Sequence, residues 1–111
     1  MTHTPFEIDS ECEDETGRLT LNGELDIATV PRVQEAVDEL LARAVRRLVI
    51  DLGGLGFVDS SGLRLFIVLD RRAAAEGWTL GLIRPRNAAM TVFEVSGAEE
   101  NLPFLEDPTL A

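Results

Sequence analysis

The spacing of apolar positions along this chain switches between two residues and about 3.6, and each switch predicts an element. Phe6-Glu7-Ile8-Asp9 alternates apolar and charged residues, as a half-buried edge strand does. The almost wholly acidic run Glu11 to Glu15, with Gly17 behind it, reads as a solvated turn, either a charged hairpin connection or an acidic docking loop. Arg18 to Leu25 comes next, with Leu19 and Leu21 on one side, and the two strands predict a hairpin. Thr29 then stands where an N-cap belongs and Pro31 where a first helical turn tolerates proline. Val30, Val33, Val37, Leu40, Leu41 and Ala44 recur at helical spacing, predicting an amphipathic helix with these residues inward.

Leu48-Val49-Ile50-Asp51-Leu52 is a short apolar run rich in β-branched residues, as a buried central strand is, and it ends in Gly53-Gly54. A helix between two such strands predicts parallel pairing and a right-handed crossover. Leu63 to Ala75 lacks proline and glycine and predicts a mostly buried helix stopped by Gly77. Trp78 to Ile83 alternates through Trp78, Leu80 and Leu82 as the next strand. Pro85 breaks the chain, and Asn87 can cap a third helix carrying Ala89, Met90 and Phe93 inward, with Val92 either inward or at the edge of that face, and Gly97 as its end. Leu102-Pro103-Phe104-Leu105 adds at most a short edge strand, because Pro103 cannot serve a central one. The order predicts one α/β domain over residues 1–111, its core about 6–105. Its mixed sheet should have four to five strands, with three or more helices packed on it.

Composition narrows the function classes. The formal net charge is −10 over 111 residues, which argues against nucleic acid or an anionic membrane surface as partner. All ten basic residues are arginine. Cys12 is alone, so neither a disulfide framework nor a thiolate cluster is expected. His3 is also alone, in a tail, and without a second histidine no metal site is expected. No apolar run reaches the ~20 residues of a bilayer span, and no signal-peptide pattern opens the chain. A soluble cytoplasmic protein without cofactor is the expectation.

The stretch Phe57-Val58-Asp59-Ser60-Ser61-Gly62-Leu63 carries the candidate chemistry. An acid and two hydroxyls at a helix entrance can simply cap it. A serine hydrolase fits poorly, with no G-x-S-x-G elbow and no histidine near mid-chain. Gly53-Gly54-Leu55-Gly56 lacks the ending of a P-loop and the spacing of a dinucleotide fingerprint. Its glycines serve to let the chain leave the strand tightly. Arg84 and Arg86, beside Pro85, form either a small basic spot or solvated surface.

Three stretches together resemble one family. They are Leu21-Asn22-Gly23-Glu24-Leu25-Asp26, then Leu48-Val49-Ile50-Asp51-Leu52 leading into Asp59-Ser60-Ser61-Gly62-Leu63, and lastly Ala88 to Gly97 with its Ser96-Gly97 stop. The chain is similar over residues 6 to 105 to STAS-domain anti-sigma factor antagonists. The resemblance implies a bacterial partner-switching regulator of transcription, serving a stress response, and not an enzyme. Unphosphorylated, it would bind an anti-sigma factor that is also a serine kinase, and so free the sigma factor. Phosphorylation at Ser60 would end that binding until a phosphoserine phosphatase restored the hydroxyl.

Asp26, Asp59, Ser60, Ser61, Gly62 and Arg64 are the partner-binding residues on this reading. Gly62 would leave the acceptor's surroundings open, and free amides at the helix start would tolerate the phosphate. The protein itself would be a monomer or weak dimer. Two departures stand out: Ala98 follows the Ser-Gly stop, and Arg64 sits where many relatives carry a small residue. Arg64 then either sets partner specificity or is a solvated residue. The alternatives within and beyond this fold are a STAS subunit of a transporter or lipid-trafficking complex, and a small nucleotide-binding protein.

Overall fold

The two alternating N-terminal segments form an antiparallel hairpin, β1 (Glu7–Glu13) and β2 (Thr16–Leu25). The structure, a computed structural model, describes residues 5–86 and 88–106. The expected cap Asn87 and the tail with His3 lie outside the described residues. Glu13 pairs with Thr16, so only Asp14 and Glu15 make the connection. Asp14 takes φ 54°, a left-handed conformation that aspartate adopts more readily than most residues. The acidic run is therefore strand up to Glu13, not turn. Its side chains all reach solvent, and Glu11 stands opposite Arg18, a favourable cross-strand charge pairing.

Helix α1 (Val30–Ala42) has Pro31 in its first turn and buries Val33, Val37 and Leu40. Ala44 does not share that inward face. It lies past the helix end in a left-handed conformation (φ 64°) and is exposed, while Val45 is buried instead. The amides of Ala44 and Val45 bond back to Leu41 and Leu40, which closes the helix and turns the chain toward the sheet.

Strand β3 (Arg47–Val58) runs parallel to β2 and continues straight through the glycines where its end was expected. From Thr20 to Leu25 β2 advances five residues, while its partner advances seven, from Asp51 to Val58. Two extra residues are thus absorbed as bulges, which suit a glycine-rich stretch. Gly54 is required by close approach: a Cβ there would overlap the Asn22 side chain and lie 2.8 Å from the Leu21 carbonyl oxygen.

Helix α2 (Ser60–Glu76), strand β4 (Thr79–Ile83) and helix α3 (Ala88–Ser96) complete the order. Strand β4 is parallel to β3, and the sheet order is β1-β2-β3-β4. The expected fifth strand is a single parallel bridge, Leu82 to Phe104. Gly97 (φ 80°) stops α3, and buried Ala98 begins a short 3₁₀ turn, Ala98–Glu100. Buried residues alternate along β2 through Leu19, Leu21 and Leu25. They join Leu48, Ile50 and Leu52 of β3 and the inward faces of all three helices in one core. Phe93 sits at its centre, 6.1 Å from Phe66 and edge-on to Phe104 at 5.5 Å. Helix α2 buries one stripe (Leu65, Phe66, Leu69, Ala73) rather than most of its surface, and Val68 is exposed. No helix among the described residues is long and apolar enough to cross a membrane.

Candidate partner-binding site

Because β2 and β3 run in parallel, the loops after them leave the same end of the sheet. Leu25 pairs with Val58, and the Asp59 amide donates to the Leu25 carbonyl at 3.1 Å. The loop carrying Asp26 and the helix start carrying Ser60 are thereby neighbours, as their places after two parallel strands require.

Asp26 builds its own loop. Its Oδ1 accepts from the Ala28 amide at 2.9 Å and the Thr29 amide at 3.1 Å, while its own amide donates to Thr29 Oγ1 at 2.9 Å. Thr29 holds the cap position of α1, but its hydroxyl makes no cap bond to the helix and turns back to the Glu24 carbonyl at 3.0 Å. The Asp26 amide, left over as the strand ends, engages the oxygen a helix amide would have used.

Asp59 is the working cap of α2. In extended conformation, its Oδ1 accepts from the Ser61 amide at 2.8 Å and the Gly62 amide at 3.1 Å, and the Leu63 amide bonds the Asp59 carbonyl at 3.1 Å. Two of the amides expected to receive a phosphate, those of Ser61 and Gly62, are therefore already filled by a carboxylate. Ser60 is exposed and its hydroxyl makes no hydrogen bond with a described residue, whereas Ser61 is half-buried. Gly62 is buried, and a Cβ on it would stand 2.9 Å from Val58 Cγ1 and 3.0 Å from Leu25 Cγ. Its bare backbone lets the first helical turn lie against the sheet; it does not open space around the serine. Arg64, one turn beyond Ser60, is exposed and pairs with no described residue.

Beside Ser60 runs a shallow groove of about 450 Å³, walled by Leu63 of α2 and by Thr91, Val92 and Val95 of α3. Val95 is 83% exposed, Ile27 after β2 is 77% exposed and Phe57 at the end of β3 is 47% exposed. The sequence reading does not single out these apolar residues. A signal exists for Val95: two positions from Phe93, which helix α3 buries with Ala89, it falls on the opposite side of a short helix. A scattered exposed apolar residue needs no explanation, but several at one end of a sheet mark a contact surface.

Arg84 is not part of a basic spot, since it pairs with Glu99 at 2.9 Å and lies over the Phe104 ring at 4.8 Å. Among the described residues no three His, Cys, Asp or Glu stand close enough to hold a metal ion. What this corner offers is an unengaged hydroxyl on a rigid turn, surrounded by exposed apolar surface.

Comparison with known proteins bears on that arrangement. Residues 8–106 match the family model described as Mlab, STAS domain. An anti-sigma-B factor antagonist of Staphylococcus aureus is 24% identical over 93 residues, 84% of this chain and 86% of that protein. The crystal structure of an anti-sigma factor antagonist from Mycobacterium paratuberculosis superposes with a TM-score of 0.77. It is 22% identical and covers 95% of this chain and 89% of its own. The Bacillus anti-sigma factor antagonist SpoIIAA is 25% identical over 91% of this chain and has been solved in two forms. The TM-score is 0.72 for the unphosphorylated form, covering 86% of that chain, and 0.67 for the phosphorylated form, covering 89%. With a family model spanning nearly its whole length and a fold shared with SpoIIAA, the chain belongs to the STAS-domain family.

Proposed function

We propose that this protein is a partner-switching antagonist whose switch is the Ser60 hydroxyl. Unphosphorylated, it binds an anti-sigma factor that also acts as its serine kinase, releasing the sigma factor. Phosphorylated on Ser60, it lets that partner go until a phosphoserine phosphatase removes the group. It acts in the cytoplasm, as a monomer or weak dimer, and has no catalysis of its own.

The observation that carries this reading is the contrast at the helix start. Ser60 is exposed and unbonded beside an apolar groove, while Asp59 is spent on capping and Ser61 is half-buried. A partner covering Leu63, Val92 and Val95 must also cover Ser60. A neutral hydroxyl is cheaply desolvated there. A phosphate adds about −1.5 to −2 charge and three acceptor oxygens, and burying that charge unpaired is prohibitive. A loss of ~4 kcal/mol of binding free energy weakens affinity about a thousandfold. Asp26 and Asp59 contribute by holding the two loops in shape, Gly62 by seating the turn, and Ser61 and Arg64 by lying next to the acceptor.

The test is incubation with ATP and the candidate anti-sigma kinase, followed by mass spectrometry. One phosphate on Ser60, absent from Ser60→Ala, is expected. Phosphate on another residue, or none with any cognate kinase, would sink the switch. A second reading, a STAS subunit of a transporter or lipid-trafficking complex, draws on the matched model's description, which names Mlab and no sigma regulator. It predicts co-purification with a membrane complex and no effect of Ser60→Ala on sigma-dependent transcription.

A further inference from the structure

We propose that Arg64 is the counter-ion of the phosphate on Ser60, closing over it along the first turn of α2 once the serine is modified. This rests on the reading of Ser60 as phosphoacceptor and adds what receives the charge. Most of the usual receivers are taken: the Ser61 and Gly62 amides both bond Asp59 Oδ1, and the Leu63 amide bonds the Asp59 carbonyl, which leaves the serine's own amide. A phosphate on Ser60 therefore meets a carboxylate where a bare helix start would offer donors.

The surroundings give little else. The groove wall on the α3 side is Thr91, Val92, Val95 and Ser96, and the charged residue lining that groove is Asp59. Along α2, Arg72 is committed to Asp38 and Glu76, and Arg71 lies eleven residues from Ser60, about three turns away. Arg64 is four residues on, so its Cβ stands about 5–6 Å from that of Ser60 on the same helical face. It is exposed and pairs with no described residue, in a chain of net charge −10 where cations are scarce. The order is the favourable one, acid N-terminal to base. A guanidinium fork can engage two phosphate oxygens at once.

That pairing has two consequences. The phosphate lies down along the helix instead of projecting from it, and Arg64 is withdrawn from the surface it offers a partner while Ser60 is unmodified. One modification then changes both the charge and the shape of the docking face.

The measurement is a ³¹P NMR titration of protein carrying phosphoserine at position 60, inserted during translation so that no kinase is needed. The second ionisation of the phosphate should fall about 0.3–0.7 pH unit lower in the parent than in Arg64→Gln, the size of a charge-assisted i,i+4 pair. Arg64→Lys should retain part of that difference, and Arg71→Gln should show none of it. The difference should shrink in 1 M salt, where screening is short-ranged. Equal midpoints in the parent and Arg64→Gln, or an equal displacement by Arg71→Gln, would overturn the pairing. A kinase that never modifies Ser60 defeats the functional reading and leaves this titration intact, so the two failures are separable.

Discussion

At the C-terminal end of helix α2, Arg72 reaches Asp38 of α1 at 2.6 Å and Glu76 of its own helix at 3.0 Å. The Trp78 indole N–H donates to the same Glu76 at 3.1 Å, and Gly77 (φ 80°) closes the helix. At the N-terminal end, Asp59 caps only its own turn, the Ser60 hydroxyl bonds no described residue and Val95 across the groove is open to solvent. Side chains at one end have found partners within the chain; at the other they have not. Each exposed ion pair contributes little, about 0–1 kcal/mol, so the bonded end is not a large reservoir of stability. What differs is availability. On the proposed function, a surface that binds and releases another protein keeps its hydroxyl and apolar side chains unengaged, and the far end holds the helix while it does so.

The sharpest way to break this comparison is to put charge on the unengaged end without touching the other. Ser60→Asp should weaken binding to the anti-sigma partner about a thousandfold, roughly 4 kcal/mol, as measured by calorimetry. Melting should move by no more than a few degrees, because exposed substitutions away from caps and core fall within about ±0.5 kcal/mol. A large drop in melting temperature accompanying the lost binding would mean that Ser60 acts through the fold.

Gly62 tests the opposite expectation one residue from the surface. It is a packing residue inside the motif, with Val58 and Leu25 too near for a side chain. Gly62→Val should destabilise the protein by about 2–3 kcal/mol through overpacking, shifting the chemical denaturation midpoint without changing its slope. Its partner affinity should fall only as far as the first helical turn is displaced. If Gly62→Val instead melts like the parent but fails to bind, then Gly62 belongs to the docking face and the division between packing and docking residues is misplaced.

Much of the fold was legible because periodicity reports burial directly. Val33, Val37 and Leu40 declared α1, and Leu48, Ile50 and Leu52 declared a central strand. Endings were less legible. Nothing local tells a chain to carry a strand through Gly53-Gly54; the bulges exist because β2 continues alongside and Gly54 must clear Asn22. Ala44 fits the helical repeat, yet the turn into β3 rotates it out. At the site, the motif placed Ser60 at a helix start level with the Asp26 loop, as the fold has it, and capping by Asp59 was foreseeable from residue type. That the same carboxylate would fill the Ser61 and Gly62 amides depends on how the folded turn seats Asp59. The exposed Ile27 and Phe57 were illegible for a related reason, since hydrophobicity in sequence does not say which side of a loop or strand end faces water.

The smallest expected effect lies at the bonded end. The Trp78 indole and then the Arg72 guanidinium donate to Glu76 and hold its carboxyl below the usual range, while Asp38 and Glu76 raise Arg72 above its own. A carboxylate whose pKa is depressed on folding favours the folded state above its unfolded pKa, about 4.3, and loses that contribution as pH falls through the folded value. Glu76→Gln keeps an acceptor for Trp78 but removes the charge facing Arg72. Its melting temperature should therefore lie slightly below the parent's at pH 7, and the gap should narrow below about pH 4.3 and close once Glu76 is protonated. High salt should also narrow it, because this end of the helix is exposed. Partner affinity at pH 7 should not change. A gap that persists at about pH 2, where carboxylates are protonated, would show that Glu76 acts there through packing rather than through its charge. A loss of partner affinity in Glu76→Gln would be more damaging, since it would place a binding residue at the end of α2 whose side chains serve to hold the helix in place.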